Sequence, residues 1–484
     1  MPIQTEQISQ VTKLLVLTDG GTGNAVMSGA HAIAATTINV ASGGANFVNG
    51  DAFRVGSGED QTVYVATGST ATTITIAAPG LKRAYADGTP VVEQVQDQYG
   101  PVTDAGVKLA FSRESTKQFS GQQRLTFAIL KGYGAVRAEG VFDAYTLFNV
   151  ALAAGATRSK VLGAGSVADP YAFINAGNDF GVNTNVNVIV EGLLSDGVSP
   201  IRAELYGVRF DYTSLAMQFA RGVLSGVPFK LLAGASAVID YSASPWTGTT
   251  TYNATNANVL DGLDDFGYFA AHGTPLNVTV SSGGAVGTNS VTVSSGTGYA
   301  QGDWVKYGSG NTVEFHQVQS VATNTLTNRT RFLRSQAAGT AVQRQQLVQM
   351  VAITKDGVKL NIGGTMTEVY SGIRDFALDL RPGNAFATYG FALTSYSKTT
   401  FALALGKAIP GGNVLNLIDG MGRTPVDGLY ATGLMQGGRR LWINAWGVDV
   451  DLSAVEAVFS NQGEPPAIPF AGEALSGIQL VDSA

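Results

Sequence analysis

The chain has 484 residues, of which 45% are hydrophobic and only 14% are charged. Its 30 basic and 36 acidic residues give a net charge of −6, so it lacks the basic excess of a protein that grips nucleic-acid phosphates. It has no cysteine, which excludes disulfides, cysteine-ligated zinc and a thiol nucleophile. So few charges indicate a chain that solvates itself with Ser, Thr, Asn and Gln, or that hides much of its surface in subunit interfaces, or both.

The first segment along the chain, residues 1–34, is interpreted as an N-terminal arm. Residues 1–16 have no basic region followed by an apolar core, so we expect no secretory signal. The most apolar stretch, 141–156, is interrupted by Asp143 and Asn149 and is shorter than the roughly 20 residues of a membrane helix. We therefore expect a soluble protein that assembles in the cytoplasm.

Residues 35–96 predict a small β module. Apolar and polar residues alternate in Thr62-Val-Tyr-Val65 and Thr73-Ile-Thr-Ile76, and glycine, asparagine and aspartate separate the apolar runs. A period of two with frequent turns is typical of a small antiparallel barrel or sandwich.

The next segment, 97–241, begins with strands and then changes to a helical period. Apolar residues at helical spacing precede Gly155, and Asp143 is the predicted N-cap. A similar pattern precedes Gly406, with Ser395 as the predicted N-cap. These positions are Tyr145, Leu147 or Phe148, Ala151 and Leu152 in the first helix, and Tyr396, Thr399, Ala402 and Leu403 in the second.

The second half of the chain repeats the first. Gly106-Val-Lys-Leu109 returns as Gly357-Val-Lys-Leu360, 251 residues later, and Gly207-Val208 returns as Gly447-Val448, 240 residues later. Residues 287–345 are then the second small module, 346–484 the second large domain, and 242–286 a linker. The sequence predicts a mainly β fold with short helices, duplicated in tandem, each half being a small β module followed by a β-sandwich or barrel domain.

Residues able to perform chemistry are few and scattered. His31, His272 and His316 lie far apart and are interpreted as surface or turn residues, and the acidic cluster 261–265 as a solvated face of the linker. No metalloprotease, nucleophile-elbow or phosphate-loop motif is complete. We therefore expect no enzyme, with no catalytic, cofactor-binding or metal-binding residues.

The large domains resemble the tail tube proteins of tailed bacteriophages. In that family a strand leads into a helix with an Ala-Leu-Gly-like end, and a late strand carries a small residue followed by Val-Pro-Phe. The matching segments are Val141–Gly155, Gly192–Gly197, Tyr206–Phe210 and Gly226–Phe229, and in the second copy Phe391–Gly406, Gly433–Leu434, Trp446–Val450 and Ala467–Phe470.

This resemblance implies six-domain rings whose inward strands join into one β-barrel, and therefore three chains per ring. Rings stack into a virion tail that is assembled in the host cytoplasm and through which phage DNA passes without tight binding. The implied partners are further copies of the chain, a tape-measure protein, and tail terminator and baseplate proteins; no membrane is involved. The segments between paired strands are candidate ring-stacking loops, with Ser112, Arg113, Glu114, Lys117, Thr365, Thr367 and Glu368 as their residues.

Two other functions fit the composition. A repetitive β-domain adhesin or carbohydrate-binding surface protein is also rich in Gly, Ser and Thr, but it requires export and seldom has helices within each repeat. Another virion component, such as a capsid decoration or baseplate protein, shares the structural class.

Overall fold

The computed structural model describes most of the chain. The described residues are 8–119, 127–143, 145–175, 186–194, 196–211, 215–220, 226–240, 245–250, 252–253, 260–272, 276–309, 312–350, 353–370, 377–394, 397–405, 407, 411–416, 426–435, 438–451 and 467–483. Within them the protein is mainly β with two short α-helices, which confirms the predicted fold class.

The first half has thirteen strands and one α-helix in the described residues. They are β1 (Ile8–Val26), β2 (Thr37–Asn39), β3 (Ala52–Val55), β4 (Thr62–Ser69), β5 (Thr73–Ile76), β6 (Pro90–Tyr99), β7 (Val102–Phe119), β8 (Phe127–Phe142), α1 (Leu147–Ala153), β9 (Tyr171–Asn175), β10 (Asn187–Leu194), β11 (Pro200–Asp211), β12 (Leu215–Phe219) and β13 (Val227–Asp240).

The second half also has thirteen strands and one α-helix in the described residues. Its elements are β14 (Tyr252–Asn253), β15 (Leu260–Ala271), β16 (Val278–Gly283), β17 (Ser290–Val293), β18 (Trp304–Tyr307), β19 (Glu314–Ala322), β20 (Thr325–Asn328), β21 (Ala341–Gln349), β22 (Ile353–Tyr370), β23 (Ala377–Leu393), α2 (Lys398–Ala404), β24 (Val426–Met435), β25 (Arg440–Val450) and β26 (Ile468–Ser483).

The two halves share one strand order. The first sheet runs β2-β5-β4-β3-β6-β1-β10-β11-β13-β8-β7. The same order of equivalent strands, from β17-β20-β19-β18-β21 through β15-β24-β25-β26 to β23-β22, is hydrogen-bonded in the second sheet, where β16 adds a further strand between β21 and β17. The repeat in the sequence is therefore also a repeat of strand pairing.

The register of pairing repeats as well. Val107 lies opposite Gly140 in the β7–β8 hairpin, and Val358 lies opposite Phe391 in the β22–β23 hairpin, each residue shifted by 251. Gly207 and Gly447 occupy the same bulge, with φ values of 59° and 56° that favour glycine.

The segments interpreted as an arm and a linker contain central strands. β1 lies between β6 and β10, and its counterpart β15 lies between β21 and β24. Residues 14–17 of β1 are all buried, so both faces of the strand are apolar and the alternating signal of a half-buried strand is missing. Each small module is thus an insertion between two neighbouring strands of its sheet, and β6 pairs with both the module and β1.

The two α-helices begin later than predicted. Thr146 caps α1 by accepting a hydrogen bond from the backbone N–H of Asn149, and Ser397 caps α2 by accepting one from Thr400. Asp143 is therefore not the cap; residue 395 lies outside the described residues. Every residue of α1 is buried, which places this helix inside the core.

Each small module has its own core and docks on its sheet through equivalent positions. Leu17, Ala52, Val63, Ile189 and Tyr206 form the docking cluster of the first copy. The larger residues Phe269, Trp304, Phe315, Tyr430 and Trp446 occupy the same positions in the second copy. In the first copy Trp246, from the connecting segment, joins the smaller side chains and contributes the missing aromatic volume.

Candidate self-association surfaces

The two copies are joined by strands of the first copy that pair with strands of the second. β12, from the first copy, pairs antiparallel with β22 at the edge of the second sheet, from Leu215 opposite Ile362 to Phe219 opposite Val358. Leu215, Met217 and Ile362 are each no more than 2% exposed, because they lie in a hydrophobic core built from both copies. The contact between copies is therefore as well buried as a domain interior.

A second part of this contact lies at the far end of the β22–β23 hairpin. Glu368 accepts a hydrogen bond from Arg137 of the first copy, and Leu380 packs against Ala135 and Leu232. The hairpin therefore rests on the face of the first sheet that points away from the shared core.

The contact between the copies is head-to-tail. The first copy contributes β12, the strand β9 that pairs with β26, and the outer face of β8 and β13; the second contributes β22, β26 and the hairpin end. Among the described residues, no pairing with these roles exchanged is present. A head-to-tail contact uses two different surfaces, so each copy keeps one of them for another partner.

The first unused surface is the edge of β7, the counterpart of β22. Within the described residues β7 ends its sheet, with no strand paired on its outer side. Val358, Leu360 and Ile362 of β22 are buried, whereas Phe111, the counterpart of Ile362, is 64% exposed. The same position is thus a core residue in one copy and an exposed phenyl ring in the other.

The second unused surface is a groove of about 500 Å³ on the outer face of the second sheet. We call it the acidic groove, because three carboxylates and one lysine line it: Asp449, Asp451, Glu473 and Lys359. Thr388 also lines the groove and is the counterpart of Arg137, shifted by 251. The acidic groove is therefore the counterpart of the surface on which the β22–β23 hairpin rests in the first copy.

A buried ionic network supports the first module. Glu204, which is 1% exposed, accepts hydrogen bonds from Lys82, Tyr206 and Arg202, the last at 2.9 Å from Nε. Burial, followed by the nearby Glu204 charge, raises the pKa of Tyr206 well above its usual range. Lys82 belongs to the module and Glu204 to β11, so the network ties the module to its sheet.

Two buried carboxyl groups have raised pKa values. Burial raises the pKa of Asp97 and of Asp482, and the attraction of Arg158 and Arg439, each 2.9 Å from its carboxylate, only partly offsets this. A raised pKa means that the folded state favours the neutral carboxyl. Its contribution to stability is present below the unfolded pKa and is lost as the pH rises through the folded pKa.

We expect Asp482→Asn to remove this pH dependence. Relative to the unchanged protein, the variant should gain free energy of unfolding as the pH rises from about 4 to 7. Urea unfolding at several pH values measures the difference. Asp196→Asn is the matched control: hydrogen bonds from Ser199 and backbone N–H groups lower the pKa of Asp196, so its contribution is lost as the pH falls. If the stability of Asp482→Asn relative to the unchanged protein decreases as the pH rises, the raised pKa of Asp482 is contradicted.

The predicted stacking loops are in fact strands. Ser112, Arg113, Glu114 and Lys117 lie in β7, and Thr365, Thr367 and Glu368 lie in β22. Their polar composition resembles a loop, but edge strands carry charges too, and hydrogen-bonded pairing continues to Phe119 opposite Phe127. The structure brings Glu368 into the contact between copies, whereas Ser112 donates a hydrogen bond to Ala135 of its own hairpin.

The sequence did not predict the β7 edge or the acidic groove as surfaces. An alignment of the two copies would have matched Phe111 with Ile362. The predicted surface or turn position of His316 is wrong, because the residue is fully buried with its ring between Glu314 and Thr330. Among the described residues, no three His, Asp or Glu side chains come together as a set that could hold a metal ion.

Comparison with known proteins identifies no relative. No protein-family model matches the chain, and a search of curated proteins found no match. Neither of the helices in the described part of the chain has the length and hydrophobicity to cross a membrane.

Proposed function

We propose that the protein is a structural subunit that associates head-to-tail with further copies of itself into rings, and that these rings form a bacteriophage tail tube. The observation that carries the proposal is the difference between the two equivalent edges. β22 is covered by β12, whereas β7 is uncovered within the described residues and presents Phe111. No catalytic step is part of this function.

Two physical arguments support self-association. An open strand edge with apolar side chains promotes pairing with another chain, and proteins avoid the liability by closing the sheet. The contact inside the chain already shows the complementary surface, since strand β12 and the outer face of β8 and β13 cover the β22 edge and its hairpin. Repeating that contact between chains closes a ring if the rotation permits, or otherwise produces a filament.

The tail tube assignment itself draws on the resemblance of the large domains. Three chains supply the six domains of such a ring, and stacked rings form a conduit in the virion tail. The net charge of −6 suits a lumen that DNA passes without being held by phosphate contacts. The tape-measure, terminator and baseplate proteins are the partners of a tube of this kind.

Phe111→Glu tests the proposal. Burying the phenyl group of Phe111 in the contact should be worth about 2–3 kcal/mol, and burying an unpaired carboxylate in its place costs more. We therefore expect self-association to weaken at least about 100-fold. The folded chain should tolerate the change, because Phe111 is exposed within it. Native mass spectrometry and electron microscopy of purified particles measure the assembly.

Val198→Glu is the control, since Val198 is 78% exposed and lies in a turn away from β7. It should assemble normally. Six chains per ring would contradict the trimer, and a chain that never associates, alone or with tail partners, would contradict the function.

A further inference from the structure

The acidic groove has an occupied counterpart. Arg137 and Leu232, on the outer face of the first sheet, contact Glu368 and Leu380 of the β22–β23 hairpin, and Leu232 is fully buried. Their counterparts, Thr388 and Glu473, line the open groove of the second sheet. One copy thus has a hairpin on this surface, and in the other copy none of the described residues covers it.

We propose that the acidic groove binds the β7–β8 hairpin of a second copy of this chain, an inference that rests on the proposed self-association. The β7–β8 hairpin is the counterpart of the β22–β23 hairpin in residue pairing and in length. When the head-to-tail contact is repeated between chains, the first copy of the next chain takes the role of the second copy within the chain. Its β7–β8 hairpin then lies across the groove.

Charge at equivalent positions supports this occupant. Lys117 aligns with Glu368, since 117 plus 251 is 368, so the β7–β8 hairpin is basic at a position where the β22–β23 hairpin is acidic. The receiving surface changes in the opposite sense, with Thr388 in place of Arg137 and Glu473 in place of Leu232. Three carboxylates and one lysine give the groove a charge of −2. Both sides have changed together in the direction that keeps them complementary.

This difference also distinguishes the two contacts from one another. The acidic end of β22–β23 suits the surface with Arg137, and would meet like charges in the acidic groove. The basic position on β7 has the reverse preference. Complementary charges fix which hairpin lies on which surface, and like charges disfavour the wrong arrangement.

A charge-swap experiment tests the inference. Lys117→Glu and Glu473→Lys, each alone, should weaken self-association about tenfold at low salt, and the loss should shrink as salt rises. The double variant should restore association to within about threefold of the unchanged chain. Sedimentation velocity of the full-length chain over a concentration series measures the effect. A folding defect caused by one substitution would not be rescued by the other.

Lys160→Glu is the matched control, because it makes the same charge change at an exposed lysine. Lys160 lies in the short 3-10 helix Arg158–Lys160, outside β7 and outside the lining of the acidic groove. It should associate normally. The groove assignment is overturned if both single variants associate normally while Phe111→Glu does not. It is also overturned if the double variant associates as weakly as either single variant. In both cases self-association through β7 stands. If Phe111→Glu also associates normally, the proposed function falls as well.

Discussion

Trp446→Ala should lower the free energy of unfolding by about 3–5 kcal/mol, the cost of removing a large buried aromatic ring. Trp446 has no exposed surface and lies between the second module and its sheet, with the ring of Phe315 at 6.2 Å. The guanidinium of Arg334 lies over the Trp446 ring at 5.8 Å and loses this contact too. Urea unfolding measures the loss.

Because the substituted ring holds the second module in place, proteolysis within 287–345 should also become faster. Trp442→Ala is the comparison, since Trp442 belongs to the same cluster but is only half-buried and should cost less. A loss below about 1 kcal/mol for Trp446→Ala would show that this cluster does not hold the module.

Glu204→Ala should be comparably severe, with a loss of about 3–5 kcal/mol, because it leaves a nearly buried arginine and a partly buried lysine without their main counter-ion. Arg202 is only 11% exposed in its side chain, and Lys82 is held in the same network. Asp240 lies 3.9 Å from Arg202 and compensates only in part. Chemical denaturation monitored by circular dichroism measures the effect.

Glu139→Ala is the control for that substitution. Glu139 pairs with Lys108 at 2.9 Å, but both side chains are well exposed, so we expect a loss below about 1 kcal/mol. Glu204→Gln retains the shape and one of the two acceptor oxygens but loses the charge, so it should fall between the two. Equal losses for Glu204→Ala and Glu139→Ala would mean that the network is solvated.

The two modules are thus held by different chemistry at equivalent positions. The counterpart of Glu204, shifted by 240, is Asn444, which donates a hydrogen bond to Gln479 and carries no charge. The first module relies on an ionic network and Trp246, and the second on a cluster of aromatic rings. Repeated folds tolerate this exchange because either arrangement fills the volume between the module and its sheet.

The mainly β fold and the internal repeat could be predicted because short sequence patterns indicate both. Alternation in Thr73–Ile76, the helical spacing before Gly155 and the return of Gly106-Val-Lys-Leu109 all depend on neighbours in sequence. The central strand β1 escaped prediction because both of its faces are buried and it shows no alternation.

The candidate surfaces were harder to predict for a different reason. The pairing of β12 with β22 joins residues more than 130 positions apart, and no local pattern specifies such a partner. The hairpin ends look polar, as loops do, although they are hydrogen-bonded strands. Phe111 becomes informative only when the structure shows that Ile362, its counterpart, is covered.

The β12–β22 pairing also affects how assembly depends on dilution. In the proposed ring of three chains, three of the six contacts between domains are made inside a chain, and only the other three require chains to meet. Because both domains of an internal pair belong to one chain, that contact does not depend on the protein concentration. Closing such a ring costs the translational and rotational entropy of three chains, whereas six single-domain subunits would lose that of six. A duplicated chain can therefore complete a ring at a protein concentration at which separate single-domain subunits would stay dispersed.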